Sequence, residues 1–238
     1  VGRQRSYQPI IFLPYARFSG PLHIQGCRLW LSSLADVPAN VPIYVDATRS
    51  YNSGQLFLFM EGTFPNDIYL TGIGLGTDSD CLGALVVAAN MRLTGDVHIS
   101  DDTTIGITGA GKTAYFDSPI SGTGNASLIA INNNPCEFCF NGTNTWQGNL
   151  TVGSYATVVL GHNEATFGTG DVNLKEHAVL NFSKANGVSF TNSIYGTGKI
   201  VMPSHASFSS EVQCNIVSAS TSKSLSVSDF SAKKIEMT

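Results

Sequence analysis

The chain has 238 residues, a net charge of −4, only 13% charged residues, and 24 glycines among many Ser, Thr and Asn. No basic cluster exceeds Lys233-Lys234, and no apolar run approaches the ~20 residues of a membrane-spanning helix, so the composition argues against nucleic-acid binding and against membrane contact by this segment. An apolar share of 42% excludes a disordered tail and leaves a folded chain with a mostly neutral, polar surface.

The first residues, Val1 to Arg5, have neither an initiator Met nor the apolar core of a signal peptide, and residues 1–17 read as a lead-in, a cap or the end of a preceding segment. Short alternating bursts follow: Leu22-His23-Ile24, Arg28 to Leu31, Gln55 to Phe59, Ala84 to Val87, Leu150-Thr151-Val152, Val158-Val159-Leu160, Val172-Asn173-Leu174 and Val179 to Phe182. They are rich in β-branched residues and bounded by Gly, Asn, Asp or Pro, which is strand chemistry with turn punctuation. The one helix candidate, Ser33 to Ala39, is short and is stopped by Pro38. The last residues, Lys233 to Thr238, again have strand character, so the chain is expected to be a piece of a longer protein whose neighbouring segments contact its ends.

A phrase recurs at a 75-residue interval: Gly20 to Ile24, Gly95 to Ile99 and Gly170 to Leu174. A second, Phe116 to Gly124, returns as Phe190 to Gly198. Strand starts fall near residues 22, 43, 68, 97, 120, 150, 172, 194 and 216, so each 75-residue unit holds about three of them. Three strands of ~5 residues plus their turns fill roughly one interval between successive starts and make one rung of a three-faced coil, whereas a propeller blade needs a period of ~40–50. The spacing therefore predicts an all-β fold, a right-handed single-stranded parallel β-helix (solenoid) of about nine rungs over residues 18–238, clearest over 95–202 and degenerate over 203–238.

Asn144 to Val152 followed by Ala156 to Gly161, then Phe167 to Leu174 and Ala178 to Phe182, resemble the autotransporter-associated β-strand repeat. Ile120 to Gly124 and Ile194 to Gly198 resemble its I-S-G-T-G step, and Arg17 to Ile24 its Y-T-G phrase. The pattern departs from the family in its five cysteines and at Ala130 to Phe138. The resemblance implies a passenger-type β-helix on a secreted or surface protein, extracellular or cell-surface, with a bacterial outer membrane or a virion as its setting.

Sharper motifs are weighed against that frame. Gly106 to Thr113 matches the phosphate-loop pattern letter for letter, but that loop works only where a helix begins at the Lys-Thr pair, and Pro119 and a Gly-Thr-Gly run follow too soon. It reads as a turn. Cys136 and Cys139 have no helix N-terminus to activate a thiol and no further pair of metal ligands nearby; with alternation, Cys136 shares a face with Phe138 and Cys139 takes the other. Cys27, Cys81 and Cys214 complete an odd set that leaves one disulfide open. Asp78 with Asp80 and Asp101 with Asp102 lie in turns and read as solvated acids rather than a hydrolytic pair. His23 and His98 occupy equivalent repeat positions, which argues for structural reuse. Trp146 and Tyr155 are candidate glycan contacts, weighed against a structural role for Trp146 at a rung corner.

No catalytic, cofactor-binding or metal-ligating set emerges. The expectation is a non-catalytic structural or adhesive segment, with host or environmental glycans as partners besides the rest of its own protein. The alternatives are a polysaccharide-binding or polysaccharide-degrading β-helix of the phage tailspike kind, or an accessory repeat module of a surface hydrolase.

Overall fold

Alternation with a period of two puts every second side chain on one side of a strand, and the Gly, Asn and Pro turns bend the chain after three to six residues. Coiling is the way such a chain buries one side of every strand. The computed structural model describes residues 10–12, 19–48, 53–74, 83–185, 189–202, 207–208, 212–218, 224–225 and 235–236. They form a parallel β-solenoid of about seven turns.

Three faces run along the coil. The first stacks Leu22–Gln25, Ile43–Asp46, Ile68–Thr71, Val97–Ile99 and Ile120–Gly122 in register, with Leu22 opposite Ile43, Ile43 opposite Ile68, Ile68 opposite Val97 and Val97 opposite Ile120. The second carries Arg28–Leu31, Gln55–Leu58, Leu85–Val87, Thr103–Thr108, Ala126–Ile131, Leu150–Val152 and Val172–Leu174. The third carries Gly62–Phe64, Met91–Leu93, Thr113–Phe116, Cys136–Phe140, Ala156–Leu160 and Val179–Asn181. The strand Ile194–Met202 serves the second face with its beginning and the third with its end, across an irregularity between Tyr195 and Lys199.

The first face continues past Gly122 without regular strands. Thr145 N–H donates to the Ile120 carbonyl at 3.0 Å, Gln147 N–H to Gly122 at 2.9 Å, and Thr169 N–H to Trp146 at 2.8 Å. Asn side chains complete the corners where the chain enters this face. The buried Asn144 accepts from Ile120 N–H at 2.6 Å and donates to the Thr166 carbonyl at 2.5 Å, joining the turns before and after its own. Asn66 donates to the carbonyls of Pro38 and Val41, and Asn192 to those of Gly168 and Gly170. Each buried amide is thereby matched to backbone that the turn would otherwise leave unpaired.

The expected nine rungs become about seven because the coil is incomplete at both ends. Where the first turn should place a third-face strand, Ser33 caps a single 3-10 turn, Leu34–Asp36, and the Asp36 carboxylate accepts from Ser32 and Ser33 N–H at 2.9 and 2.8 Å. This short turn is all that forms of the Ser33 to Ala39 helix candidate. Beyond Met202 the parallel stacking continues once more, Ser207–Phe208 on Ser189–Phe190 and Val212–Ser218 on Ile194–Met202, and then gives way to antiparallel neighbours, Ile235–Glu236 on Ser207–Phe208 and Ser224–Leu225 on Val212–Ser218.

The 75-residue echo is only partly geometric. Leu22 and Val97 share the first face, three turns apart, but Val172 of the third copy pairs with Leu150 on the second. Likewise Ile120 lies on the first face and its echo Ile194 on the second. Every face needs a turn residue followed by apolar alternation, so one phrase suits any of them.

Inside, like stacks on like. Leu29, Leu56, Leu85, Ile105, Leu128, Val152 and Leu174 form one column, all buried. Phe116, Phe140, Phe167, Phe182 and Phe190 form an aromatic stack with successive ring centroids 5.4, 6.2, 5.5 and 4.0 Å apart. Gly168, at φ 83°, lies so close to the Trp146 carbonyl that a Cβ would clash there. Because each turn is stabilised by its two neighbours, a core deletion should act locally. Phe140→Ala is expected to cost about 3–5 kcal/mol in chemical denaturation. Hydrogen exchange should show the lost protection concentrated in the turns around residues 116–182; uniform loss along the rod would contradict nearest-neighbour stabilisation.

Candidate functional surfaces

In this coil the outward columns are the surfaces available for chemistry, and the sequence motifs can be located on them. Gly106 to Thr113 runs from the end of strand Thr103–Thr108 through a tight turn into strand Thr113–Phe116, with Gly109 and Gly111 at φ 104° and 69°. No helix begins at Lys112-Thr113, so its amides do not converge on a phosphate-sized site. The Lys112 ammonium lies 3.7 Å from the Glu61 carboxylate.

Cys136 and Phe138 face the core, as alternation requires, and Cys139 points outward yet is only 2% exposed. Burial pushes the Cys136 thiol up to about 12. Burial also raises Cys139, which Lys184 partly offsets, and Cys27 is raised for the same reason. All three are free thiols. Cys81, Asp78, Asp80 and His205 lie outside the described residues, as does the side chain of Cys214.

Asp101 and Asp102 are occupied structurally. Asp101 accepts from Asp102 N–H at 2.8 Å, and Asp102 accepts from the Asn125 amide side chain at 2.8 Å. Asn125 then accepts from Asn149 N–H, and Asn149 from Asp171 N–H, each at 2.9 Å. Asp102, Asn125 and Asn149, each just ahead of a second-face strand, thus tie their turns to the next.

The two glycan-contact candidates part company. Trp146 is fully buried, its indole N–H donating to the Gly124 carbonyl at 2.7 Å, so its ring belongs to the core and offers nothing to a sugar. The reason is the corner: without a regular strand there, a large ring fills the space between turns. Tyr155 is 37% exposed, at φ 63°, and stacks on His177 with centroids 4.9 Å apart. The structure does not bring the two together at one surface.

Three outward clusters escaped motif reading. On the third face Arg92 grips Asp117 through two bonds of 2.7 and 2.8 Å and lies over the Tyr115 ring at 4.7 Å, while the Asn141 amide donates to Asp117 at 2.6 Å. On the second, Trp30 stacks on Phe57 at 4.5 Å beside Phe59, which is 53% exposed. On the first face, His23, Tyr44, Tyr69 and His98 occupy one outward column in register. Their centroids are 4.8, 4.6 and 5.8 Å apart, and the His98 ring nitrogen meets the Ser121 hydroxyl at 3.1 Å. Burial raises the Tyr69 phenol, with Tyr44, Asp67 and Asp96 acting in the same direction, so it holds its proton beyond the usual tyrosine range. The signal was present in the sequence as the second residue of the first four first-face strands, but it emerges only once the face is assigned.

Among the described residues no three His, Cys, Asp or Glu side chains gather as metal ligands. The outward columns offer hydroxyls, amides, carboxylates and rings in repeating rows, an arrangement suited to non-covalent contact.

Two outcomes follow. At pH 8 a maleimide should leave Cys136 and Cys139 unlabelled in the folded chain and label both after denaturation, as read by peptide mass spectrometry; rapid native labelling would contradict their burial. Because the folded chain keeps the Cys136 proton where the unfolded chain releases it, this group's contribution is intact below pH 9.0 and is lost as the pH rises toward about 12. Cys136→Ala should flatten that alkaline fall in chemical-denaturation midpoints.

The chain matches no family model, no curated protein and no solved structure.

Proposed function

We propose that this chain is a non-catalytic, structural and adhesive segment of a large secreted or cell-surface protein, a passenger-type β-helix of the autotransporter-associated repeat kind. The observation that carries this reading is the distribution of side chains on the outward columns. Successive turns repeat neutral or self-satisfied groups: Ser127, Thr151 and Asn173 in one column, and Asp102, Asn125, Asn149 and Asp171 in another. Such rows build a stiff surface that presents many weak contacts. Glycosidic chemistry needs two carboxylates held across a substrate.

The alternative, a polysaccharide-degrading β-helix, finds its best support in Arg92 and Asp117, an acid and a cation on one face. Their bidentate pairing and the bond from Asn141 occupy both carboxylate oxygens, which favours a structural role. Two measurements test the proposal. Protease treatment of intact source cells should remove the segment before lysis; protection until lysis would overturn a surface location. Incubation with a polysaccharide panel should release no new reducing ends, and release that Asp117→Asn abolishes would establish the enzyme instead.

A further inference from the structure

We infer that the first face is a binding site for an uncharged polysaccharide, laid lengthwise over the ridge His23–Tyr44–Tyr69–His98. This deepens the adhesive reading above and rests on it for its setting.

The ridge is an addition that the fold does not require. Inward neighbours of these residues, Ile24, Val45, Leu70 and Ile99, already form the core. At the same outward level Ser121 continues the first face, and Thr104, Ser127 and Thr151 serve the second, so small hydroxyl side chains are compatible with stacking the turns. The rings are nevertheless placed on four consecutive turns, with His23 exposed and the other three half-buried.

Their orientation defines what they offer. His23, Tyr44 and Tyr69 lie nearly parallel, 10° and 15° apart, so their faces are used against one another along the rod. Outward they present ring edges and phenol hydroxyls, one per turn at the inter-strand interval of ~4.8 Å. Ring edges carry partial positive charge and pair with oxygen, and a phenol both donates and accepts. An extended glycan advances by a comparable distance per sugar, so hydroxyls on successive units can meet successive turns.

The flanks complete the chemistry. Asp67 and Asp96 border the ridge on one side, where Asp67 also accepts from Asp96 N–H at 2.9 Å. On the other side Gln25 donates to Asp46 at 3.3 Å, and the Thr71 and Ser100 hydroxyls meet at 2.8 Å. None of the five strands of this face contains a Lys or Arg. Three carboxylates, on a face whose strands carry no Lys or Arg, disfavour an anionic chain, such as a uronic-acid polymer, nucleic acid or phospholipid. Carboxylates, amides and hydroxyls around aromatic edges suit the alternating donors and acceptors of neutral sugars.

The test is affinity electrophoresis of the 238-residue chain through gels containing a neutral β-glucan, mannan, galactan or xylan, with heparin and a cationic amino-sugar polymer alongside. Retardation is expected in at least one neutral gel and none in heparin. Tyr44→Ala with Tyr69→Ala should weaken that retardation at least tenfold. Tyr44→Phe with Tyr69→Phe, which keeps the stack and the fold, should weaken it severalfold, whereas Tyr155→Ala should leave it unchanged. No retardation in any neutral gel, indifference to both double variants, or stronger retention by the cationic polymer would overturn the inference. Loss of the ridge alone would leave surface exposure by protease treatment intact, whereas polysaccharide cleavage would defeat the adhesive reading itself.

Discussion

Everything in this molecule depends on the register between successive turns. Parallel backbone pairing fixes residue against equivalent residue, so Leu22, Ile43, Ile68, Val97 and Ile120 share a column, and a slip by one would turn every inward side chain out. The register is held from inside by apolar columns and at the corners by Asn66, Asn144 and Asn192, whose amides reach backbone carbonyls of another turn. Once it is set, any outward position becomes a straight row along the rod. Surface chemistry is then a matter of choosing one residue type per turn.

That division of labour explains why the motifs with the strongest sequence signals carry the least chemistry. A phosphate-loop pattern needs a helix to aim its amides, and this backbone places Thr113 at the start of a strand. A CxxC pair needs exposure and positive surroundings to become reactive, whereas Cys136 and Cys139 are buried and their thiols are driven up. Asp102 meets the side chain of Asn125 before it meets any ligand. In each case the local sequence is compatible with a function that the coil's geometry withdraws.

The fold was legible because a period of two, punctuated by Gly and Asn and recurring about every 25 residues, has few other solutions. The alternation also put Cys136 and Phe138 on one face of their strand and Cys139 on the other correctly, and the structure shows the shared face to be the inner one. What was not legible was face. Gly95 to Ile99 and Gly170 to Leu174 are nearly the same phrase, yet Val97 and Val172 sit on different sheets, since each sheet asks the same of its residues. Trp146 stood between two readings, a surface platform and a rung corner, and the structure takes the corner, with the ring inward and the indole N–H on Gly124. The ridge was invisible for the converse reason. His23, Tyr44, Tyr69 and His98 are separated by more than twenty residues each, and only register makes them neighbours.

The energetics of a solenoid give such a ridge a particular freedom. Stability is close to a sum of turns and their contacts, so an outward residue can change with little effect on the core one position away. Exposed ring pairs contribute only about 0.5–1.5 kcal/mol beyond their burial. Four neighbouring rings, three of them stacked, therefore add modestly to a rod already held by fully buried columns of Leu, Ile and Phe. A binding surface gains more from the same arrangement: each ring is pre-ordered by its neighbours, so a ligand that spans several turns meets donors that lose little further entropy when it binds. A row of individually weak, evenly spaced and pre-ordered contacts favours a ligand that itself repeats, which is the property that joins the shape of this rod to an extended polymer.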